Sequence, residues 1–225
     1  MPPLLRAVFF SLAISSLVAC GPTDKEVYLM DLPSLHVAAT EGNVTAQVRL
    51  VEMYLSGNGV KRDAKLAFEW ANKATEQGSV KGQSFLGHMY IHGLGVQADP
   101  KKGQELVLKS AEEGDLDAQF SLSMDYRNGS NGIEKDFKKG VMWLRKVALN
   151  GEPAAQELLG LYYLRGEDVL EKDIIEAYAW SALAVENGAD ASRTRDEAQA
   201  ELRPDDMEAA KTLLSRYRDE YKPKD

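Results

Sequence analysis

Glycine residues recur at nearly constant intervals through the middle of the chain, and this period constrains the fold more than any other feature. The glycines are separated by 36, 36, 37 and 37 residues, and they are Gly42, Gly78, Gly114, Gly151 and Gly188. A fixed period of roughly 20–50 residues is typical of repeat proteins, in which each unit contacts mainly its neighbours. The sequence therefore predicts four stacked units.

Other residue types keep step with these glycines. A small residue followed by glutamine comes four residues after each of the first four glycines, and leucine and tyrosine keep registers of their own. These positions are Ala46-Gln47, Gly82-Gln83, Ala118-Gln119 and Ala155-Gln156; Leu50, Leu86, Leu122 and Leu159; and Tyr54, Tyr90, Tyr126 and Tyr163. The three tryptophans, Trp70, Trp143 and Trp180, share one register, in which the second repeat has Leu106. We expect the Tyr and Trp side chains to fill the space between units.

Each unit is predicted to form two helices, which makes the fold all-α. In the first unit, Gln47, Leu50 and Tyr54 follow helical spacing within 44–56. Gly57 is predicted to end this helix, because a left-handed residue after a helix favours glycine. The predicted N-caps are Asn43, Ser79, Asp115 and Glu152 (followed by Pro153) for the first helices, and Asp63, Asp99, Asp136 and Asp173 for the second.

The whole motif is a small residue and Gln, then Leu, Tyr, a Gly-x-Gly-Val loop and Asp, ending in Trp-x-x-Lys-Ala-x-x-x-Gly. It resembles the Sel1-like repeat family, a relative of the tetratricopeptide repeats, from about Ala39 to Gly188. The resemblance implies antiparallel helix pairs stacked into a right-handed superhelical α/α solenoid. In the fourth repeat, Asp168 replaces the second glycine of the loop, so we expect that loop to have a looser or different shape.

The repeat boundaries divide the chain into predicted segments. They are a signal peptide (1–19), a flexible tether (20–32), an N-terminal capping helix (33–41), four repeats (42–77, 78–113, 114–150 and 151–188) and C-terminal capping helices (189–225). The last segment reads as two helices, separated before Pro204, which favours the first position of a helix. Terminal units of solenoids need a polar outer face, and this segment is rich in Arg, Asp and Glu.

The N-terminus resembles that of a bacterial lipoprotein. A basic start is followed by an uncharged, mostly apolar run at 7–18, which is too short to span a bilayer and fits a secretory signal. The run ends in Leu17-Val18-Ala19-Cys20, which resembles a lipobox and implies a lipid on Cys20, the only cysteine. In such lipoproteins Gly21 implies the outer membrane, so we expect a lipid-anchored protein facing the periplasm. The alternative is an ordinary signal peptide with a chance cysteine.

Composition and motifs argue against several other functions. Removal of Arg6 with the signal leaves 26 basic and 35 acidic residues, a net charge of −9, which disfavours binding to nucleic acid. No motif for a cofactor, phosphate or metal is present, and we expect none of these ligands. His88 and His92 share a helix face at the spacing of zinc ligands, but no Glu follows His88, so we interpret them as surface or groove residues.

In helix-pair solenoids of this kind the first helix of each repeat lines the concave face. Counting in threes and fours from the core positions predicts the side chains that face this groove. The predicted partner-binding residues are Glu52, Lys81, His88, His92, Phe120, Met124, Glu157, Leu161 and Arg165. The same count places Val48 and Ser84 on this face. The alternative is that these residues only complete the packing between repeats, because Phe and Leu are usually buried.

The resemblance implies a non-catalytic role as an envelope scaffold or adaptor that binds a protein or peptide. Some cysteine-rich relatives are described as penicillin-binding or weakly β-lactam-hydrolysing, and each of their repeats carries a disulfide-linked cysteine pair. Every repeat here lacks cysteine, which weakens the enzymatic alternative. A periplasmic assembly chaperone is a further alternative that the sequence does not separate from an adaptor.

Overall fold

The computed structural model describes residues 22–168 and 170–220, and within them the chain is entirely helical. Its helices are α1 (Asp24–Leu29), α2 (Leu32–Thr40), α3 (Val44–Ser56), α4 (Ala64–Glu76), α5 (Val80–His92), α6 (Pro100–Glu112), α7 (Leu116–Asn128), α8 (Phe137–Leu149), α9 (Pro153–Arg165), α10 (Ile174–Glu186), α11 (Ser192–Glu201) and α12 (Pro204–Glu220). Each helix from α3 to α10 packs mainly on its neighbours in sequence. This is a helical solenoid, as the sequence predicted, with α3–α4, α5–α6, α7–α8 and α9–α10 as its four pairs.

The predicted helix ends are confirmed by their hydrogen bonds. The side chains of Asn43, Ser79 and Asp115 each accept a bond from a backbone N–H in the first turn of a first helix. Glu152 makes no such bond, and Pro153 begins α9 instead. The four aspartates predicted for the second helices all cap them, which satisfies N–H groups that have no partner within a helix.

The loop inside each repeat is closed by the same backbone bond. The N–H of the capping aspartate donates to the carbonyl of the repeat's tyrosine, as from Asp63 to Tyr54 at 3.0 Å and from Asp173 to Tyr163 at 2.9 Å. The loop of the fourth repeat therefore keeps its closing bond although it lacks the second glycine. Asp168 makes this possible by adopting the left-handed conformation itself, with φ of 57°. The looser or different shape expected for this loop stays a prediction.

The leucine and tryptophan registers form the core, while the tyrosines are only partly buried. Leu50, Leu122 and Leu159 are almost completely buried, and Trp180 is the largest fully buried side chain. The hydroxyls of Tyr54, Tyr90 and Tyr163 reach polar partners, as between Tyr54 and His36 at 2.9 Å. The tyrosines thus lie at the edge of the core, a position that suits a side chain with an apolar ring and a polar hydroxyl.

In three of the four repeats the repeated glutamine ties the repeat to the helix before it, whereas Gln83 of repeat 2 donates to the carbonyl of Leu106 in the second helix of its own repeat. The Nε2 atoms of Gln47, Gln119 and Gln156 donate to backbone carbonyls near the end of the preceding second helix or capping helix, at 2.9–3.0 Å. These carbonyls lie in the last turn of a helix, where intrahelical donors run out. A buried glutamine therefore supplies the donor, which explains why this register holds an amide.

The N-terminal cap differs from the prediction. The segment 20–32 was expected to be a flexible tether, but residues 24–29 form α1, which packs against α3. Val27 is fully buried in the cluster that also contains Leu35 and Leu50. One apolar side chain with a place in the core is enough to fold this segment onto the solenoid. The following cap, α2, occupies nearly the predicted range.

The C-terminal cap consists of the two predicted helices, α11 and α12. Tyr217 of α12 stacks on Trp180 with ring centroids 4.1 Å apart. Its hydroxyl donates to Glu176 at 2.7 Å and accepts from Arg145 at 2.6 Å. Burial raises the pKa of the Tyr217 phenol, and the bond to Glu176 adds to this. These contacts fasten α12 to the last two repeats.

Candidate partner-binding groove

The first helices of the repeats form one surface, on which charged side chains from three successive helices lie next to one another. Lys81 on α5 places its Nζ atom 3.0 Å from the carboxylate of Glu52 on α3 and 3.9 Å from that of Asp117 on α7. Partial burial opposes the charge of Lys81, but the hydrogen bond and charge of Glu52 outweigh it, and its pKa is raised. Three successive first helices therefore contribute to a continuous surface, which includes the predicted residues Glu52 and Lys81.

His88 and His92 lie on this surface in repeat 2. Their rings are stacked, with centroids 6.5 Å apart and planes inclined by 4°. His92 is exposed and His88 is partly buried. Within 22–168 and 170–220, no group of three or more His, Cys, Asp and Glu side chains is placed to hold a metal ion. The role of this pair as groove residues stays a prediction.

The environment of His88 predicts how it affects stability at acidic pH. Burial lowers its pKa below 6.5, and the neighbouring His92 lowers it further, against the opposing charges of Asp125, Asp115 and Asp117. The folded state thus favours neutral His88, while the unfolded chain takes up a proton as the pH falls below about 6.5. We expect the free energy of unfolding to decrease less between pH 7.5 and pH 5 in His88→Gln than in the parent. Denaturant titrations at both pH values measure this, and equal decreases would contradict the assignment.

The predicted apolar part of the groove lies between repeats 3 and 4. Phe120 is 38% exposed, whereas Met124 and Leu161, the other two apolar residues predicted for this part of the groove, are partly buried. A cavity of about 280 Å³ opens here. It is lined by Leu116, Asp117, Phe120, Val147, Glu152, Ala154 and Ala155. Phe120 therefore borders this cavity, which extends toward the N-terminal ends of α7 and α9 rather than toward Met124 and Leu161. Its role in partner binding stays a prediction.

Several lining residues were missed by the sequence reasoning. Leu116 and Val147 had no role in the sequence-based prediction, Ala155 was placed only in the register of small residues, and Glu152 was considered only as a helix cap. They reach the cavity because it is bordered by the start of α7, the end of α8 and the start of α9. A search for apolar residues in the first turn of each first helix would have found Leu116.

Two expected groove positions do not face the groove. Val48 and Ser84, which occupy the register of Phe120 in repeats 1 and 2, are buried. Their placement on the open face was wrong; Val48 lies on α3, which contacts both α5 and the N-terminal helix α1, and Ser84 lies on α5. Farther along, Glu157 is partly buried and Arg165 is exposed at the end of α9. The open part of the groove therefore belongs mainly to the C-terminal half of the solenoid.

The helix pairs match a known family. The model of the Sel1 repeat matches four consecutive segments, residues 44–79, 80–115, 116–152 and 153–188. The chain belongs to the Sel1 repeat family. Sel1 repeat solenoids are generally non-catalytic scaffolds for protein interactions. Among curated proteins, none matches the sequence.

Solved structures with the same repeat architecture are similar to this Sel1 repeat chain. A protective antigen of uropathogenic Escherichia coli with an SLR fold is 30% identical with a TM-score of 0.67, over 83% of this chain but only 40% of that one. A Sel1 repeat protein from Oxalobacter formigenes is 27% identical with a TM-score of 0.63, over 85% and 77% of the two chains. An immunity protein from Pseudomonas aeruginosa is 19% identical with a TM-score of 0.53, over 88% and 73%, and this likeness shows the fold alone.

The predicted lipid attachment site, Cys20, lies outside the described residues. In the part of the chain that the structure does describe, none of the helices combines the length and the apolar character needed to cross a bilayer.

Proposed function

We propose that this Sel1 repeat protein is a lipid-anchored, non-catalytic scaffold of the bacterial cell envelope that binds a protein or peptide partner on its first helices. The open cavity beside Phe120, between two first helices, carries the binding part of the proposal. It combines apolar walls with acidic side chains at its edge, the composition of a peptide-docking site. The general role of Sel1 repeats in protein interaction supports the same reading.

The anchoring part of the proposal rests on the N-terminal sequence. Leu17-Val18-Ala19-Cys20 resembles a lipobox, and Gly21 favours the outer membrane. Because α1 begins at Asp24, only a few residues would separate a lipid on Cys20 from the folded solenoid. Four extended residues reach about 14 Å, so the N-terminal end of the solenoid would lie near the membrane surface.

Replacement of Cys20 by serine tests the anchor. We expect the parent protein to fractionate with the outer membrane and to carry the additional mass of acyl chains, which hold a protein on a membrane almost irreversibly when two or more are present. The Cys20→Ser protein should lack that mass and leave the outer membrane. As a matched change at the next residue, Gly21→Asp should keep the lipid but move the protein to the inner membrane. A parent protein without lipid would disprove the anchor.

A site-specific crosslinker tests the binding face. We expect a photoreactive phenylalanine analogue at position 120 to capture a discrete partner in the native envelope. Leu108 on the second helix α6 is a matched control, because it is 37% exposed against 38% for Phe120. The analogue at position 108 should capture little. If position 108 or the terminal helices capture the partner and position 120 does not, binding through the first helices is wrong.

A further inference from the structure

The solenoid already contains one short helix docked on a first helix. In repeat 1, α1 lies against α3: the Thr45 hydroxyl donates to the Asp24 carboxylate, and the Arg49 guanidinium donates to the Val27 carbonyl. Val27 is fully buried there. A helical segment of six residues thus packs on the side of α3 that carries Thr45 and Arg49, and it buries one aliphatic side chain there.

The equivalent face in repeat 3 is open. Two repeats along the chain, Thr45 corresponds to Asp117 and Val48 to Phe120. Val48 is buried, whereas Phe120 is exposed and borders the cavity of about 280 Å³. A volume of this size accommodates one large apolar side chain. The geometry of repeat 1 therefore offers a template for what repeat 3 can accept.

The charge at this cavity differs from that at repeat 1. Asp117 replaces a neutral threonine, and its side chain is 78% exposed. Glu152 is also exposed, and it is the one first-helix N-cap residue whose side chain does not bond its own helix. Lys81 lies 3.9 Å from Asp117 but closer to Glu52, and the residues that line the cavity include no Lys or Arg. The rim thus carries more negative than positive charge, and complementary charges favour a basic occupant.

We infer that this cavity binds a short helical segment of a protein partner, in which one large apolar side chain enters beside Phe120 and basic side chains on both sides of it pair with Asp117 and Glu152. The inference rests on the proposed function and specifies the chemistry of the partner. A second copy of this chain does not fit the description, because its net charge of −8 repels an acidic rim and its own α1 is occupied in repeat 1.

Synthetic peptides test this with the full-length protein in detergent. The probes are two labelled 12-residue alanine-based peptides with a central photoreactive leucine analogue, flanked on both sides by lysines in one peptide and by glutamates in the other. We expect fluorescence anisotropy to show binding of the lysine peptide, weakening as salt is raised because the rim pairs are exposed. Its crosslinks should map to α7 and to the start of α9. The glutamate peptide should not bind.

The carboxylates are tested by neutral substitutions that keep their size. We expect Asp117→Asn combined with Glu152→Gln to weaken binding of the lysine peptide about five- to tenfold, which lies within the range for two exposed ion pairs. The matched control combines Glu69→Gln with Glu112→Gln, two exposed carboxylates on second helices, and should bind like the parent.

The outcomes separate the inference from the proposed function. If the glutamate peptide binds as tightly as the lysine peptide and crosslinks to the same cavity, the basic character of the partner is wrong while binding to the first helices stands. If the lysine peptide fails to bind, or binds the parent and the Asp117→Asn, Glu152→Gln protein equally, the inference is overturned. Crosslinks that map to the second helices would contradict the proposed binding face itself.

Discussion

Replacing Trp180 with alanine is expected to destabilise the C-terminal half of the solenoid by about 3–5 kcal/mol, the range for truncating a large buried aromatic side chain. Trp180 has no exposed surface, and its ring stacks on Tyr217 of α12. The Arg145 guanidinium lies 5.4 Å from the same ring. Loss of the ring removes the support for α12, so the backbone amides of this helix should be the first to lose protection from hydrogen exchange. Denaturant titration measures the free energy, and hydrogen exchange locates the loss.

The matched substitution is Trp70→Ala in the first repeat. Trp70 is 8% exposed and is covered on one side by the flexible Lys73 side chain, so we expect a loss nearer 3 kcal/mol. Because each repeat contacts mainly its neighbours, the faster exchange should be confined to α2–α5. A Trp180→Ala protein as stable as the parent would show that the tryptophan register does not form the core.

Replacing Gly95 with alanine is expected to destabilise the protein by about 2–5 kcal/mol. A Cβ atom at this position would lie 2.1 Å from the carbonyl oxygen of Ala64 and 2.8 Å from the backbone nitrogen of Lys65. The glycine also has φ of +71°, which costs an alanine about 1–2 kcal/mol. Overpacking against backbone adds about 1–3 kcal/mol, because the loop of repeat 2 must move away from the start of α4.

Gly78→Ala separates these two effects. Gly78 has a similar φ of +83°, but a Cβ there would have no neighbour within 4 Å. We therefore expect only the conformational part, about 1–2 kcal/mol. Thermal and denaturant unfolding of both variants measures the difference. Equal losses at the two positions would mean that the loop of repeat 2 does not press on the backbone of repeat 1.

The repeat architecture and the helix ends could be read from the sequence. A helix end depends on one or two local residues, such as Asn43 or Asp63 at the start and Gly57 at the end, and their roles follow from hydrogen bonding and backbone freedom. The core positions could also be predicted from the sequence, because the residue types of Leu50 and Trp70 recur at the same positions of other repeats. In this chain the residues that cap the helices and form the core recur from repeat to repeat, which makes the pattern easy to recognise.

The groove could be predicted only in part. The face of a single helix follows from its periodicity, and Phe120 was found in this way. Val48 and Ser84 follow the same periodicity, yet they are buried because of what lies against them. Periodicity describes one helix at a time and contains no information about its neighbours.

The sequence by itself determined that the chain forms four helix pairs, where the helices of these pairs begin and end, and which leucines and tryptophans form the shared core. Only the tertiary structure decided that α1 folds back on α3, and that a cavity opens between α7 and α9 while the equivalent position in repeat 1 is closed. The first group of features depends on contacts within one repeat period. The second depends on single side chains, Val27 and Phe120, in packing that differs from one repeat to the next, and a pattern shared by all repeats does not encode such differences.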